Sequence, residues 1–167
     1  MKIKISNLSF VHHKMDFEGT AKQSNLGEPF VDLFKVDVEI DKSSHQIVLK
    51  VEISLTTCQE CDRCGIEYSS PLKCDYKMIY LYGKPSGEND DTNVEYITPE
   101  TDTIDISRDI YDFAHLAIPV KNLCNEDCKG LCPRCGVDLN TEKCSCLEDD
   151  INPFSPFADL KKRLNSN

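Results

Sequence analysis

Apolar and polar positions alternate most regularly in the first half of the chain. Phe34, Val36, Val38 and Ile40 are separated by Lys35, Asp37 and Glu39. After the turn-forming Asp41-Lys42-Ser43-Ser44, Ile47, Leu49, Val51, Ile53 and Leu55 are separated by polar residues including Lys50, Glu52 and Ser54. A period of two with one apolar set is what a strand with one buried and one wet face requires, so these segments are predicted to pair as an antiparallel hairpin. Alternation and aromatic content predict a third strand over residues 72–82, which puts the cysteines of residues 58–65 at the far end of a second hairpin. Weaker alternation predicts strands within residues 2–11 and 15–19 and a short edge strand at 93–97.

The period then changes. Ile106, Ile110, Phe113, Ala114 and Ala117 share one helical face, with Ser107 as N-cap, Asp109 in the first turn and Pro119 as the stop, so a helix is predicted to pack on the sheet. His115, near its end, reads as a surface or rim residue. Residues 83–91 have loop composition. At the end of the chain Ser155, Pro156, Phe157, Leu160 and Leu164 have the cap and spacing of a short helix, with Lys161, Lys162 and Arg163 placed to offset its C-terminal dipole. The expected fold class is α+β: an antiparallel sheet of long hairpins with one packed helix, then a zinc-knuckle segment and a short terminal helix. Residues 1–120 form the β-rich part, 121–150 the cysteine-rich part and 151–167 the helix of one globular unit.

Charge narrows the possible partners. The 167 residues carry a net charge of -10, with nine carboxylates against Arg108 alone between residues 88 and 112. Grip on nucleic acid through phosphates needs a basic face, so direct RNA binding is disfavoured and a basic protein partner is favoured; the alternative is an acidic surface that serves solubility only. No apolar run approaches the roughly 20 residues of a membrane span. Residues 1–5 show no apolar leader, so a cytoplasmic location is expected.

The chemistry lies in ten cysteines, six of them between Cys124 and Cys146 in a stretch too poor in apolar side chains to fold by burial. Cys132-Pro133-Arg134-Cys135-Gly136 places two thiols on one tight turn and reads as half of a tetrahedral zinc site, with Cys144-Ser145-Cys146 as the other half. Cys124 and Cys128 either replace one half or stay free. Disulfides and redox-active thiols are the rival readings. A catalytic zinc is disfavoured, because His12, His13, His45 and His115 all lie outside the cluster and no H-E-x-x-H pattern occurs. Three readings compete for Cys58, Cys61 and Cys64: a rigid polar knuckle, a second zinc site completed by Cys74, and a redox pair.

The stretch from Leu123 to Asn140 with its closing Cys144-Ser145-Cys146 resembles the C-terminal signature of the YceD family, the large ribosomal RNA subunit accumulation proteins. Cys61-Asp62-Arg63-Cys64 resembles the family's C-x-R-C element, Ile104-Asp105-Ile106 its I-D-L element, and Asn152-Pro153-Phe154 one form of its ending. Asp138 stands where members commonly have asparagine and Gly65 where many have leucine. The resemblance implies a non-catalytic factor for accumulation or processing of large-subunit ribosomal RNA. It would act as an adaptor for a ribosomal protein or an assembly or RNA-processing factor, with indirect or weak contact to the RNA, no small-molecule substrate and no membrane. Some members lack the C-terminal cysteines, which implies a stabilising zinc on Cys124, Cys128, Cys132, Cys135, Cys144 and Cys146, and a partner surface at Cys61, Arg63 and Cys64. The competing functional readings are a direct single-stranded RNA-binding zinc module and a CxxC thiol oxidoreductase.

Overall fold

The computed structural model describes residues 1–22, 24–83 and 92–146. Within them the order is β1 (Lys2–Lys4), β2 (His12–Thr20), β3 (Phe30–Lys42), β4 (Gln46–Glu60), β5 (Glu67–Tyr82), β6 (Val94–Ile97), β7 (Thr103–Asp105) and α1 (Ser107–Leu116). The expected terminal helix, the acidic residues after Cys146 and all of the expected loop beyond Gly83 lie outside the described residues.

β2 to β6 form one sheet in the order β2-β3-β4-β5-β6. The predicted hairpin is β3 and β4, antiparallel, with Val36 opposite Ile53, Val38 opposite Val51 and Ile40 opposite Leu49. All six are at most 1% exposed, and each such side chain contributes about 1.5–3 kcal/mol by burial. Alternation therefore does here what it predicts, placing the apolar set on one face. The turn is closed by Ser43, whose backbone N–H and hydroxyl both donate to the Gln46 carbonyl.

Two expectations are corrected. The sheet is mixed rather than antiparallel throughout, because β6 runs parallel to β5 with Val94 beside Ile79. The alternation at residues 2–11 yields only the three-residue β1, which pairs with β7 in a separate two-stranded sheet.

The helix follows its predicted face. Ile106, Ile110 and Ala114 are buried in the same core as the sheet residues, and Phe113 stacks on Tyr76 at 4.4 Å and 3° between planes. Ser107 is not the N-cap, however. Ile106 occupies that position, and Ser107 instead donates its backbone N–H and hydroxyl to the Asp105 carboxylate, which these bonds hold below the usual carboxylate range. Asp109 does sit in the first turn, but burial first, then Glu95 and Asp112, push its carboxyl up. His115 lies at the rim, its ring edge-on to Phe30 at 4.9 Å.

The chain divides into two compact units, Met1–Gln59 with Tyr68–Val120, and Glu60–Glu67 with Lys121–Asn167. The loop between β4 and β5 thus belongs to the cysteine-rich unit rather than to the sheet that carries it. The described helix is too short and too polar to cross a membrane.

Candidate metal centres

The second unit is built on one local device used twice. Cys61-Asp62-Arg63-Cys64-Gly65 and Cys132-Pro133-Arg134-Cys135-Gly136 share the pattern C-x-R-C-G, and their backbones match. The first cysteine's N–H donates to the carbonyl five residues on, Cys61 to Ile66 at 2.9 Å and Cys132 to Val137 at 2.8 Å. The glycine N–H donates back to the first cysteine's carbonyl at 2.8 Å and 2.9 Å. Closing this turn puts the glycine at φ 70° and 73°, a left-handed backbone that glycine adopts without penalty. Both cysteines of each turn then face one side.

Each turn is completed by two further thiols. Cys61 and Cys64 meet Cys124 and Cys128, and Cys132 and Cys135 meet Cys144 and Cys146, with all four sulfurs of each group within 4.8 Å of one another. In the first group Cys61 Sγ lies 3.8 Å from Cys128 Sγ, and Cys64 Sγ lies 3.7 Å from Cys124 Sγ. A zinc–sulfur bond of about 2.3 Å gives a tetrahedron with sulfur–sulfur edges of about 3.8 Å, so this group has the size of a tetrathiolate site. The second group is tighter, with 3.2 Å and 3.6 Å from Cys144 Sγ to those of Cys132 and Cys135. Both groups can hold a metal ion, and all ten cysteines are free thiols.

In each group one thiol is drawn down and another pushed up. The backbone N–H of Cys124 foremost, with those of Cys64 and Arg63, draws the Cys61 thiol down to about 6 against the cost of burial. Burial first, then the Cys128, Cys61 and Cys64 thiols, pushes Cys124 up to about 12. The second group repeats this: the N–H groups of Cys135 and Arg134 draw Cys132 down to about 6, while Cys144 and Cys135 push Cys146 up to about 12. A divalent cation resolves the conflict, since it takes the ligands as thiolates and releases their protons.

The segments that bring Cys61 and Cys64 to Cys124 and Cys128 are tied by more than sulfur. Asp62 N–H donates to the Asn122 carbonyl at 2.8 Å, and Asn122 N–H donates to the Asp62 carboxylate at 2.7 Å. Arg63 Nη1 donates to the carbonyls of Cys128 and Glu126, and the Arg63 carbonyl accepts from Leu131 N–H at 3.1 Å. Arg63 is exposed, yet one arm of its guanidinium is used inside the unit. Asn140, which sequence reasoning did not single out, donates through Nδ2 to Cys128 Sγ at 3.4 Å and accepts Lys129 N–H through Oδ1 at 2.7 Å. A donor to a ligating sulfur orients it and offsets thiolate charge.

The structure therefore joins the Cys132/Cys135 and Cys144/Cys146 halves. Cys124 and Cys128, expected among the metal ligands, neither replace a half of that group nor stay apart from a cluster, because they complete the group of Cys61 and Cys64. Cys74 does not join that group, and neither does Cys58. Both are half-buried in the first unit, where Cys58 N–H donates to the Pro29 carbonyl. The site completed by Cys74 is not formed: Cys74 lies within β5 of the first unit, and Cys124 and Cys128 supply the remaining two thiols.

Comparison with known proteins places this architecture. A homologue 1 of the large ribosomal RNA subunit accumulation protein YceD, chloroplastic, from Arabidopsis thaliana is 26% identical over 157 residues, covering 78% of this chain and 49% of that protein. An uncharacterized protein of Mycobacterium bovis is 30% identical over 114 residues, 66% of this chain and 53% of its own length. The Zea mays chloroplastic homologue 1 is 43% identical over 60 residues, 35% of this chain and 20% of that protein. The chain thus spans about half the length of the first two of these relatives. No solved structure matches. The family model described as large ribosomal RNA subunit accumulation protein YceD matches residues 49–161, a range that contains every cysteine of both groups, and the chain belongs to that family.

Proposed function

We propose that this chain is a non-catalytic factor for accumulation and processing of large-subunit ribosomal RNA in ribosome assembly. It works in the cytoplasm, as an acidic adaptor for a basic protein partner such as a ribosomal protein or an assembly factor. The observation that carries the adaptor reading is a row of carboxylates across the wet face of the sheet. Asp16 of β2 stands opposite Asp37 of β3, and Asp37 stands opposite Glu52 of β4. Like charges directly opposite on neighbouring strands destabilise a sheet by a few tenths of a kcal/mol to about 1 kcal/mol per pair. Among the described residues, Asp37 of the three forms an ion pair, with Lys35 at 2.8 Å. A row that costs stability and faces water suits a surface completed by a partner's lysines and arginines, in a protein with a net charge of -10.

In this reading the two thiol groups each bind a structural zinc, Cys61, Cys64, Cys124 and Cys128 holding one and Cys132, Cys135, Cys144 and Cys146 the other. Four protein ligands leave no open position for substrate, so the ion supplies folding energy to the second unit rather than Lewis-acid chemistry. The knuckle of Cys61, Arg63 and Cys64 then acts on a partner through the fixed shape of its turn.

The test is affinity capture of the intact chain from growing cells, with and without ribonuclease, followed by identification of bound proteins and RNA. The adaptor reading expects a basic protein that survives ribonuclease and is lost from an Asp16→Asn, Asp37→Asn, Glu52→Gln variant. Recovery that disappears entirely with ribonuclease, or that ignores the triple substitution, refutes it.

A further inference from the structure

The acid of this protein is unevenly placed. On the sheet face a groove of about 430 Å³ is lined by Asp16, Asp37, Glu39 and Glu52 against Lys14 and Lys50. In the second unit a cavity of about 440 Å³ lies beside the Cys132, Cys135, Cys144 and Cys146 group with the opposite balance. Lys129, Arg134 and Lys143 line it against one carboxylate, Glu142, and Pro133 and Leu139 give it an apolar wall. All three cations are exposed on the unit, while Leu139 is half-buried.

We propose that this cavity binds a segment of single-stranded RNA, one base lying against Pro133 and Leu139 with flanking phosphates on Lys129, Arg134 and Lys143. The two halves of the lining correspond to the two halves of a nucleotide, a flat apolar face and an anion. The volume falls in the range of small-ligand sites, about 300–1,000 Å³. A base is available to such a wall only when unpaired, since an A-form duplex hides its base faces and keeps side chains out of its major groove. The net charge does not forbid this, because at physiological ionic strength exposed charges farther than about 8 Å away are largely screened and the local cations decide.

A simpler role for the cations is to offset the formal charge of about -2 that a zinc tetrathiolate carries. Two cations suffice for that, and it gives the apolar wall no purpose. The RNA proposal is independent of the adaptor reading but rests on the thiol group holding an ion, so metal content is recorded alongside binding.

The test uses the zinc-loaded full chain and a fluorescein-labelled oligouridine of about 12 nucleotides, a length within the usual span of single-strand sites. Fluorescence anisotropy is followed across a salt series. Saturable binding is expected, with log affinity falling against log salt at a slope near -2, from three phosphate contacts at about 0.7 each. Lys129→Gln with Lys143→Gln should weaken binding on the order of tenfold and reduce the slope to about -0.7, with zinc content unchanged. Lys14→Gln with Lys35→Gln, on the sheet, should change neither. Should the first pair lose zinc, nuclear magnetic resonance titration of the unsubstituted chain decides, with shifts expected at Lys129, Leu139 and Lys143. Shifts confined to other residues, unchanged binding by the zinc-replete double variant, or equal binding of polyglutamate would each overturn the proposal.

Discussion

The substitution Gly130→Ala probes how the two halves of the first cysteine group are held together. Gly130 has φ 75°, and a Cβ there would lie 2.9 Å from the Arg63 carbonyl oxygen and 3.2 Å from Arg63 Cβ. The obstacle is mainly backbone, and that backbone is pinned because the same carbonyl accepts from Leu131 N–H. Alanine in the left-handed region costs about 1–2 kcal/mol, and overpacking against a fixed neighbour adds about 1–3 kcal/mol. Gly136→Ala is the control, since φ there is 73° and nothing lies within 4 Å of the added carbon, leaving only the first cost. The difference between the two variants, about 1–3 kcal/mol, is one to two powers of ten in an equilibrium constant. Metal binding is coupled to folding of the cysteine-rich unit, so zinc affinity measured against a competing chelator reads the effect directly. Equal losses for the two variants would refute the close approach of residues 63 and 130.

Three further predictions follow from the same geometry. Each thiol must lose its proton to ligate an ion, and the backbone N–H groups that draw Cys61 and Cys132 down favour their thiolates; chelator-monitored zinc release should rise as pH is lowered, and release that rises toward alkaline pH contradicts it. Tyr76 buries a hydroxyl with no partner among the described residues while its ring stacks on Phe113, and an unsatisfied buried hydroxyl costs about 1–3 kcal/mol. Tyr76→Phe should leave the melting temperature of the first unit unchanged or raised, and a loss above about 1 kcal/mol would show that the hydroxyl is bonded. Asp105→Ala removes the acceptor of both Ser107 bonds at the helix start, and should cost about 1 kcal/mol in urea unfolding; no change in midpoint counts against that role.

What could be read from the chain divides along physical lines. The hairpin of β3 and β4 was legible because Val36 to Ile40 and Ile47 to Leu55 keep a strict period of two, and burying one face leaves a single register. The Cys132/Cys135 and Cys144/Cys146 group was legible because its ligands lie within fifteen positions, close enough for local turns to assemble them. The meeting of Cys61 and Cys64 with Cys124 and Cys128 was not, because roughly sixty residues of sheet and helix intervene and only the tertiary path decides which thiols coincide. A signal was nonetheless present. The repetition of C-x-R-C-G at residues 61 and 132 marks two turns of one kind, and each such turn supplies two ligands of a four-ligand site. Read together, the two turns and four remaining thiols between Cys124 and Cys146 make two complete sets, with Cys58 and Cys74 left over. The parallel β6 was hidden for another reason: four residues carry no pattern that distinguishes parallel from antiparallel pairing.

The central claim is that eight cysteines form two separate four-sulfur sites, one of which joins thiols from distant parts of the chain. Cobalt substitution tests it most directly, because tetrahedral thiolate coordination gives the ion an intense visible absorption that can be titrated to an end point. The reduced full chain should take up two cobalt ions with tetrathiolate spectra. Cys64→Ser and Cys135→Ser should each disrupt one site and leave the other, and Cys58→Ser with Cys74→Ser should leave both intact. A single ion per chain, or a site lost with Cys58 or Cys74, would contradict the account.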